Sequence, residues 1–182
     1  MKKILAILAI TTAGTAFAGS FTIEGRKIDN SSSADQTQYM FKVKEKITKS
    51  LEGDLAFGNT VTDGTGALGT RIEGGVTAVT QQVGPVAGYT RVSAGQKFSN
   101  TTDFSYYAIE PGVLIPMGSF TGKIGYRYRS AFDSSANGDQ TNTWRAGVSY
   151  AVTKKDAVSV RFDNVSGDSN QKIWAVGYTR GF

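Results

Sequence analysis

The sequence has 182 residues and contains no cysteine, no histidine and only three prolines. The lack of cysteine excludes disulfide bonds and thiolate metal sites. The lack of histidine removes the commonest general base, the commonest metal ligand and the catalytic triads that depend on it. We therefore expect no enzymatic activity, no cofactor and no metal site, and the sequence singles out no catalytic residue.

Long apolar runs are also missing beyond residue 18, and only 40% of the residues are hydrophobic, too few for a bundle of membrane helices. Glycine and aromatic residues are abundant instead, with 22 glycines and an aromatic fraction of 11%. This combination indicates a β-protein with closely packed strands.

The first residues predict an export signal. Met1–Lys3 is positively charged, Ile4–Ile10 is a short apolar run, and Ala16–Ala18 has small residues at both ends. The apolar run is shorter than the ~20 residues that a spanning helix needs. We predict that residues 1–18 are a cleaved signal peptide and that residues 19–182 form one domain. Export out of the cytoplasm argues against nucleic acid as a partner, although the formal net charge is +5.

The rest of the chain alternates between apolar and polar residues with a period of two, as strands with two unlike faces do. In the segment 144–152, apolar side chains occupy the even positions, and Arg145, Gly147 and Ser149 occupy the odd ones. Ten segments can be assigned in this way, two of them with less regular alternation. We expect the glycines on the charged face to make room for long cationic side chains.

The predicted connections alternate between short and long, so tight turns gather at one end of the structure and polar loops at the other. An even number of strands places both chain ends beside the tight turns, as in bacterial single-chain barrels. The predicted long connections are Asn30–Thr37, Asn59–Gly69, Ser99–Asp103, Asp133–Gln140 and Ser166–Asn170. No second domain is indicated.

Two surroundings would explain such faces: a soluble barrel or sandwich with an apolar core, or a membrane barrel with lipid outside and charges inside. Aromatic residues near the strand ends favour the membrane, because they form girdles at its two interfaces. The girdle candidates are Tyr39, Phe57, Trp144, Tyr150 and Trp174. The sequence therefore predicts an all-β fold, a single antiparallel up-and-down transmembrane β-barrel of ten strands, with eight or twelve strands left open.

The end of the chain resembles that of small bacterial outer-membrane β-barrel proteins. The resemblance implies residence in the outer membrane, contact with its lipid and lipopolysaccharide, and assembly by the barrel-assembly machinery. In that family the machinery reads a terminal phenylalanine and the alternating apolar residues before it, which here are Trp174, Val176, Tyr178 and Phe182. Arg180 departs from the pattern, where an aromatic residue is usual.

A weaker likeness links the run Tyr126–Arg129 to the small oligogalacturonate-type porins. Those porins have twelve strands, so none of their specificity is carried over to this chain.

The alternation also predicts which side chains line the lumen. The lumen candidates are Lys42, Lys44, Arg71, Arg91, Glu110, Lys123, Arg127, Arg129, Arg145 and Arg161. With Arg26 and Lys46, the side chains predicted to face the lumen include eleven cations. The acids predicted to face it are six: Glu24, Glu52, Asp54, Glu73, Glu110 and Asp163.

The excess of cations favours a narrow, passive pore that prefers small anionic solutes, with Arg127 and Arg129 as its main determinants. The alternatives are a non-conducting structural or adhesive barrel, in which Glu110 neutralises these arginines, and a soluble secreted β-protein.

Overall fold

The computed structural model describes residues 19–31, 33–99, 103–133 and 140–182. The predicted signal peptide, residues 1–18, lies outside the described residues, as does most of the predicted loop Asp133–Gln140. In the described residues no helix is long and apolar enough to cross a membrane. The ten strands are β1 (Gly19–Asn30), β2 (Gln36–Lys46), β3 (Leu51–Thr62), β4 (Leu68–Val79), β5 (Ala87–Phe98), β6 (Phe104–Met117), β7 (Phe120–Ala131), β8 (Thr141–Ala151), β9 (Asp156–Gly167) and β10 (Gln171–Gly181).

Each strand pairs antiparallel with its neighbours in sequence, and the sheet closes because β1 also pairs with β10. The closing ladder runs from Ser20 opposite Gly181 to Asn30 opposite Gln171. This closure satisfies the backbone hydrogen bonds that an open sheet would leave at its edges. The predicted ten-stranded up-and-down barrel is confirmed.

The strand connections lie at two ends of the barrel. We call the end with Gly19, Phe182 and the connections 47–50, 80–86, 118–119 and 152–155 the turn end. The opposite end, with the connections 31–35, 63–67, 99–103, 132–140 and 168–170, is the loop end.

The expected contrast in length between turns and loops is wrong for several connections. The predicted loop Asn59–Gly69 is short, because β3 continues through Thr62 and β4 already begins at Leu68. Ladder hydrogen bonds join backbone groups, so polar residues extend a strand wherever a partner strand lies beside it. Conversely, the connection 80–86 at the turn end is longer than the connection 168–170 at the loop end.

The barrel buries charge and exposes apolar side chains. Glu73, Glu110 and Asp163 lie inside and are only 3%, 2% and 1% exposed. Apolar residues at least 42% exposed surround the outer face: Ile23, Leu55, Ile72, Val76, Val92, Ile109, Ile124, Val148, Val160 and Val176. This distribution is the inverse of that in a water-soluble protein, whose buried residues are mainly apolar.

Candidate functional site in the barrel lumen

The predicted lumen residues all lie on the inward faces of their strands. Arg91, Glu110 and Arg127 are buried. The remaining seven are partly exposed: Lys42, Lys44, Arg71, Lys123, Arg129, Arg145 and Arg161. The structure brings most of them together in two groups of ion pairs, which we call the mid-lumen network.

The first group centres on Glu73 of β4. Its carboxylate accepts hydrogen bonds from Arg91 Nη1 at 2.6 Å, Arg127 Nη2 at 2.8 Å and the Tyr106 hydroxyl at 2.7 Å. Arg91 also donates to both oxygens of Asp54, at 2.8 and 2.7 Å. The group therefore links β3, β4, β5, β6 and β7, and the pair between Arg127 and Glu73 spans three strand positions of the barrel wall.

The second group begins at Glu110 of β6. Its carboxylate accepts hydrogen bonds from the Tyr89 hydroxyl at 3.0 Å and from Arg145 Nη1 at 2.5 Å, and it lies 3.0 Å from Lys123 Nζ. Arg145 Nε lies 3.4 Å from Asp163 of β9. This arrangement surrounds one buried carboxylate with two cations and a hydroxyl group.

The same group continues around the wall to β1 and β2. Arg161 donates to Asp163 at 2.9 Å and to both oxygens of Glu24, at 2.9 and 3.0 Å. Arg26 pairs with Glu24 and donates to the side-chain oxygen of Gln38 at 2.9 Å. Nine of the ten strands therefore contribute a side chain to the mid-lumen network, which stiffens the interior against collapse.

Glycines leave the space through which long side chains reach the second strand along. Arg91 passes over Gly75 to reach Asp54, and a Cβ atom at Gly75 would lie 2.6 Å from Arg91 Nη2. Tyr106 passes over Gly95 to Glu73 in the same way. The glycines on the charged face thus leave the room that these side chains need to reach their partners in the network.

We expect Gly75→Val to destabilise the barrel by about 1–3 kcal/mol, because the new side chain would push Arg91 off Asp54. The neighbouring Gly74 faces outward, and a Cβ atom there would lie no nearer than 3.8 Å to the Asp54 backbone oxygen. Gly74→Val is therefore the matched control, with an expected change within about 0.5 kcal/mol. Denaturant unfolding in detergent micelles would measure both, and equal losses would contradict the role of Gly75.

The non-conducting alternative assigned Glu110 as the counter-ion of Arg127, whereas the structure pairs Arg127 with Glu73. Arg127 binds Glu73 at 2.8 Å, whereas Glu110 is taken by Lys123 and Arg145. β6 and β7 are adjacent, but the inward side chains of a closed barrel can also bind across the lumen. Arg127 meets Glu73 because curvature of the wall brings β4 and β7 within reach.

Above the network, towards the loop end, lies a cavity of about 370 Å³. Of the described residues that line it, six are cationic and one is acidic: Arg26, Arg71, Lys97, Arg127, Arg129, Arg145 and Asp163. Arg71 Nε and Arg127 Nε are buried and find no hydrogen-bond partner among the described residues. We call this space the arginine cavity.

The cationic side chains differ between the two ends of the lumen. Arginines predominate around the cavity at the loop end, while Lys44 and Lys46 line a smaller space of about 190 Å³ at the turn end. Lys44 lies 3.4 Å from Glu52 there. Most of the acids lie between these two regions. From the loop end to the turn end, the lumen is therefore lined first by an excess of cations, then by ion pairs, and then by cations and acids together.

Two tyrosines of the network were not among the predicted lumen residues. Tyr89 and Tyr106 are 4% and 0% exposed, and their hydroxyl groups bind Glu110 and Glu73. The signal was present in the alternation, since Tyr89 lies two residues before Arg91 and Tyr106 precedes the outward Tyr107. Both tyrosines were missed because aromatic residues were expected to point outward to the lipid.

The predicted girdle residues lie on the outer face. Tyr39, Trp144 and Trp174 are 62%, 61% and 54% exposed near the loop end, and Tyr150 is 41% exposed near the turn end. Phe57 is outward and partly covered. Neighbouring aromatic rings pack against one another along the wall, and the rings of Tyr126 and Trp144 meet in a T-shaped arrangement with centroids 5.0 Å apart.

The residues of the proposed assembly signal share this outer surface. Trp174, Val176 and Tyr178 point outward from β10, and Phe182 follows at the chain end. The Phe182 ring packs over Gly19, and its backbone amide donates to the Gly19 oxygen at 3.1 Å. The last residue is therefore tied to the strand that closes the barrel.

The sequence matches no protein-family model, and no curated protein matches it. The fold has solved counterparts. An outer membrane channel from Pseudomonas putida F1 is 9% identical, with a TM-score of 0.62 over 93% of this chain and 97% of that one. The β domain of the Bordetella autotransporter BrkA is 9% identical, with a TM-score of 0.55 over 92% and 100%. The NanC porin is 10% identical, with a TM-score of 0.54 over 89% and 100%. This chain therefore has the fold of small outer-membrane β-barrels.

Proposed function

We propose that this protein is an integral β-barrel of the Gram-negative outer membrane, reached after cleavage of residues 1–18. The inverted distribution of side chains supports this location, because hydrocarbon favours an apolar outer face and closed backbone hydrogen bonding. Strands of 11 to 14 residues are long enough for a tilted crossing, which needs about 9–11. A soluble secreted β-protein would instead bury apolar side chains.

In this proposal the partners are outer-membrane lipid, lipopolysaccharide and the barrel-assembly machinery. The machinery would recognise Trp174, Val176, Tyr178 and Phe182, whose exposed side chains lie along one outer face at the chain end. Export leaves no role for nucleic acid.

For the lumen we propose a narrow, passive pore that prefers small anions. The arginine cavity is the observation that carries this proposal, because six cations face it and its single described carboxylate, Asp163, is 1% exposed. A ring of cations in a low-dielectric bore raises the local concentration of anions and repels cations. No chemical step is required of the protein, in keeping with the absence of histidine and cysteine.

The mid-lumen network favours a second candidate, a non-conducting structural or adhesive barrel. The ion pair between Arg127 and Glu73 crosses part of the lumen at 2.8 Å, and Arg145 bridges Glu110 and Asp163 beside it. These pairs narrow the bore. Conduction therefore separates the two candidates.

Planar bilayers provide the test. The pore predicts discrete conductance steps with a chloride preference, measured as the reversal potential in a potassium chloride gradient. Arg71→Glu/Arg129→Glu should weaken or reverse that preference by reversing two charges in the arginine cavity. We choose Arg71 over Arg127 because Arg127→Glu would set two carboxylates against each other.

The control is Lys154→Glu/Lys172→Glu, which makes the same change of net charge at exposed positions outside the lumen. Its reversal potential should match that of the wild type. A silent bilayer with correctly folded wild-type protein would contradict the pore and favour the structural or adhesive barrel.

A further inference from the structure

The arginine cavity has the size of a small-molecule site but an unusual lining. Its volume of about 370 Å³ lies at the lower end of the roughly 300–1,000 Å³ found for ligand pockets. Most such pockets are lined by apolar and aromatic side chains. Here five arginines and a lysine are among the lining residues, so the lining fits a charged ligand better than an apolar one.

The cavity extends to the loop end of the barrel. Ala67, Ser99 and Ser169 belong to connections at that end and contribute to its lining. At roughly 30 Å³ for each molecule of liquid water, the space holds about a dozen waters. A hydrated solute can therefore exchange water for protein contacts inside it.

The lining itself carries more positive than negative charge. Asp163 is the acid among the described lining residues, and Arg145 and Arg161 already pair with it. The acids Glu24, Glu73 and Glu110, which pair with Arg26, Arg127 and Arg145, belong to the mid-lumen network and do not line the cavity. The cations around the cavity therefore repel one another, and a ligand with several negative charges would relieve that repulsion.

Two guanidinium groups of the lining have hydrogen-bonding capacity that the described residues do not use. Arg71 Nε and Arg127 Nε are buried without a partner among the described residues, although buried polar groups are normally hydrogen-bonded. Arg127 is 5% exposed, so bulk water does not surround it. The planar guanidinium fork matches the paired oxygens of phosphate and carboxylate groups, which a spherical chloride ion cannot do.

Neutral polar groups complete the lining. Gln38, Thr60, Thr141 and Thr143 face the same space and add donors and acceptors for the remaining oxygens of a ligand. The lining therefore offers cations to balance negative charge, guanidinium groups to bind paired oxygens, and hydroxyl groups to bind the remaining oxygens. These are the features of a site for an oxyanion.

We infer that the arginine cavity is a binding site for a small oxyanion with two or more negative charges, of the phosphate, pyrophosphate or polycarboxylate class. Arg71 and Arg127 are its principal donors, with Arg129 and Lys97 adding positive charge at the loop end. The inference deepens the proposed function and rests on it, because a pore would give solutes access to the lumen. It gives the anion-preferring pore a preferred solute.

Isothermal titration calorimetry tests the inference without requiring conduction. The full-length folded barrel in non-ionic detergent at low salt is titrated with pyrophosphate, citrate, chloride or glucose. We expect one saturable site per barrel for pyrophosphate or citrate, weaker binding of chloride and none of glucose. Low salt matters because screening would hide the electrostatic part of the affinity.

Arg71→Gln is the informative variant, because the ion pairs of the mid-lumen network do not include Arg71. Loss of one charge-assisted hydrogen bond should weaken oxyanion binding about tenfold to a hundredfold. Lys172→Gln, which removes one charge from the outer face, should change the affinity less than about twofold. Unchanged heat-modifiable migration in gels would show that both variants fold, and Arg129→Gln replaces Arg71→Gln if that variant does not.

Three outcomes would overturn the inference: no saturable binding of either oxyanion, equal affinity for chloride, or equal weakening by Arg71→Gln and Lys172→Gln. The test also separates the inference from the proposed pore. Saturable binding with silent bilayers would retain the site and contradict the pore, whereas conductance without binding would retain the pore and contradict the site.

Discussion

Glu73→Gln is expected to lower the free energy of unfolding by about 3–5 kcal/mol, the largest effect among the substitutions proposed for this barrel. Glu73 binds Arg91, Arg127 and the Tyr106 hydroxyl at 2.6 to 2.8 Å, and the Arg127 side chain is 6% exposed. The amide keeps the shape of the carboxylate but removes its charge. Arg127 would then remain as a buried cation without its counter-ion, which is the costly way to break a buried pair.

The control is Glu52→Gln at the turn end. Glu52 pairs with Lys44 at 3.4 Å, and the two side chains are 30% and 41% exposed. An ion pair so open to water contributes about 0–1 kcal/mol. Denaturant unfolding of both variants in detergent micelles, followed by tryptophan fluorescence, would measure the difference. If Glu73→Gln cost no more than Glu52→Gln, the mid-lumen network would not be a major source of stability.

Val148→Arg is expected to cost about 2–4 kcal/mol when the barrel is folded into lipid vesicles. Val148 is 43% exposed on the outer face of β8, where Val160 of β9 lies opposite. Arginine there would place a cation within the hydrocarbon, away from both the lumen and the interfaces. The cost follows from the loss of hydration, and it exists only if lipid surrounds this face.

Val152→Arg makes the same exchange at a different depth. Val152 is 54% exposed and follows the last residue of β8 at the turn end, where a charge near the interface costs about 0–1 kcal/mol. A water-soluble barrel would tolerate both substitutions equally, because both side chains would face water. Equal unfolding free energies for the two variants would therefore contradict the membrane location, as would recovery of the folded wild type in the soluble periplasmic fraction.

The class of fold follows from local sequence. A barrel wall with unlike faces imposes a period of two on every strand, so each segment carries the signal without knowledge of its partners. This is why ten strands, their antiparallel order and the inward positions of Arg91, Arg127 and Glu110 could be derived from residues a few positions apart. The outward positions of Trp144 and Trp174 follow from the same alternation.

The partners of the lumen charges depend on barrel closure and register, which no local pattern contains. Arg127 and Glu73 are 54 residues apart in sequence, and they meet because the curved wall brings β7 opposite β4. Counting charges on inward faces predicted an excess of cations, but not that acids would gather in a middle layer. Alternation likewise could not show that a cation-lined cavity of about 370 Å³ would remain at the loop end.

Strand ends were decided by tertiary structure for a related reason. Asn59 and Thr60 look like loop residues by composition, yet they extend β3 because β2 offers backbone partners in Tyr39 and Gln38. Tyr106 points inward because Gly95 leaves room for its ring and Glu73 accepts a hydrogen bond from its hydroxyl group. The sequence by itself determined the barrel and the two faces of its wall, because both follow from the alternation of residues that are close together in the chain. Only the closed barrel decided which charges pair and where positive charge remains, because those contacts join residues far apart in the chain.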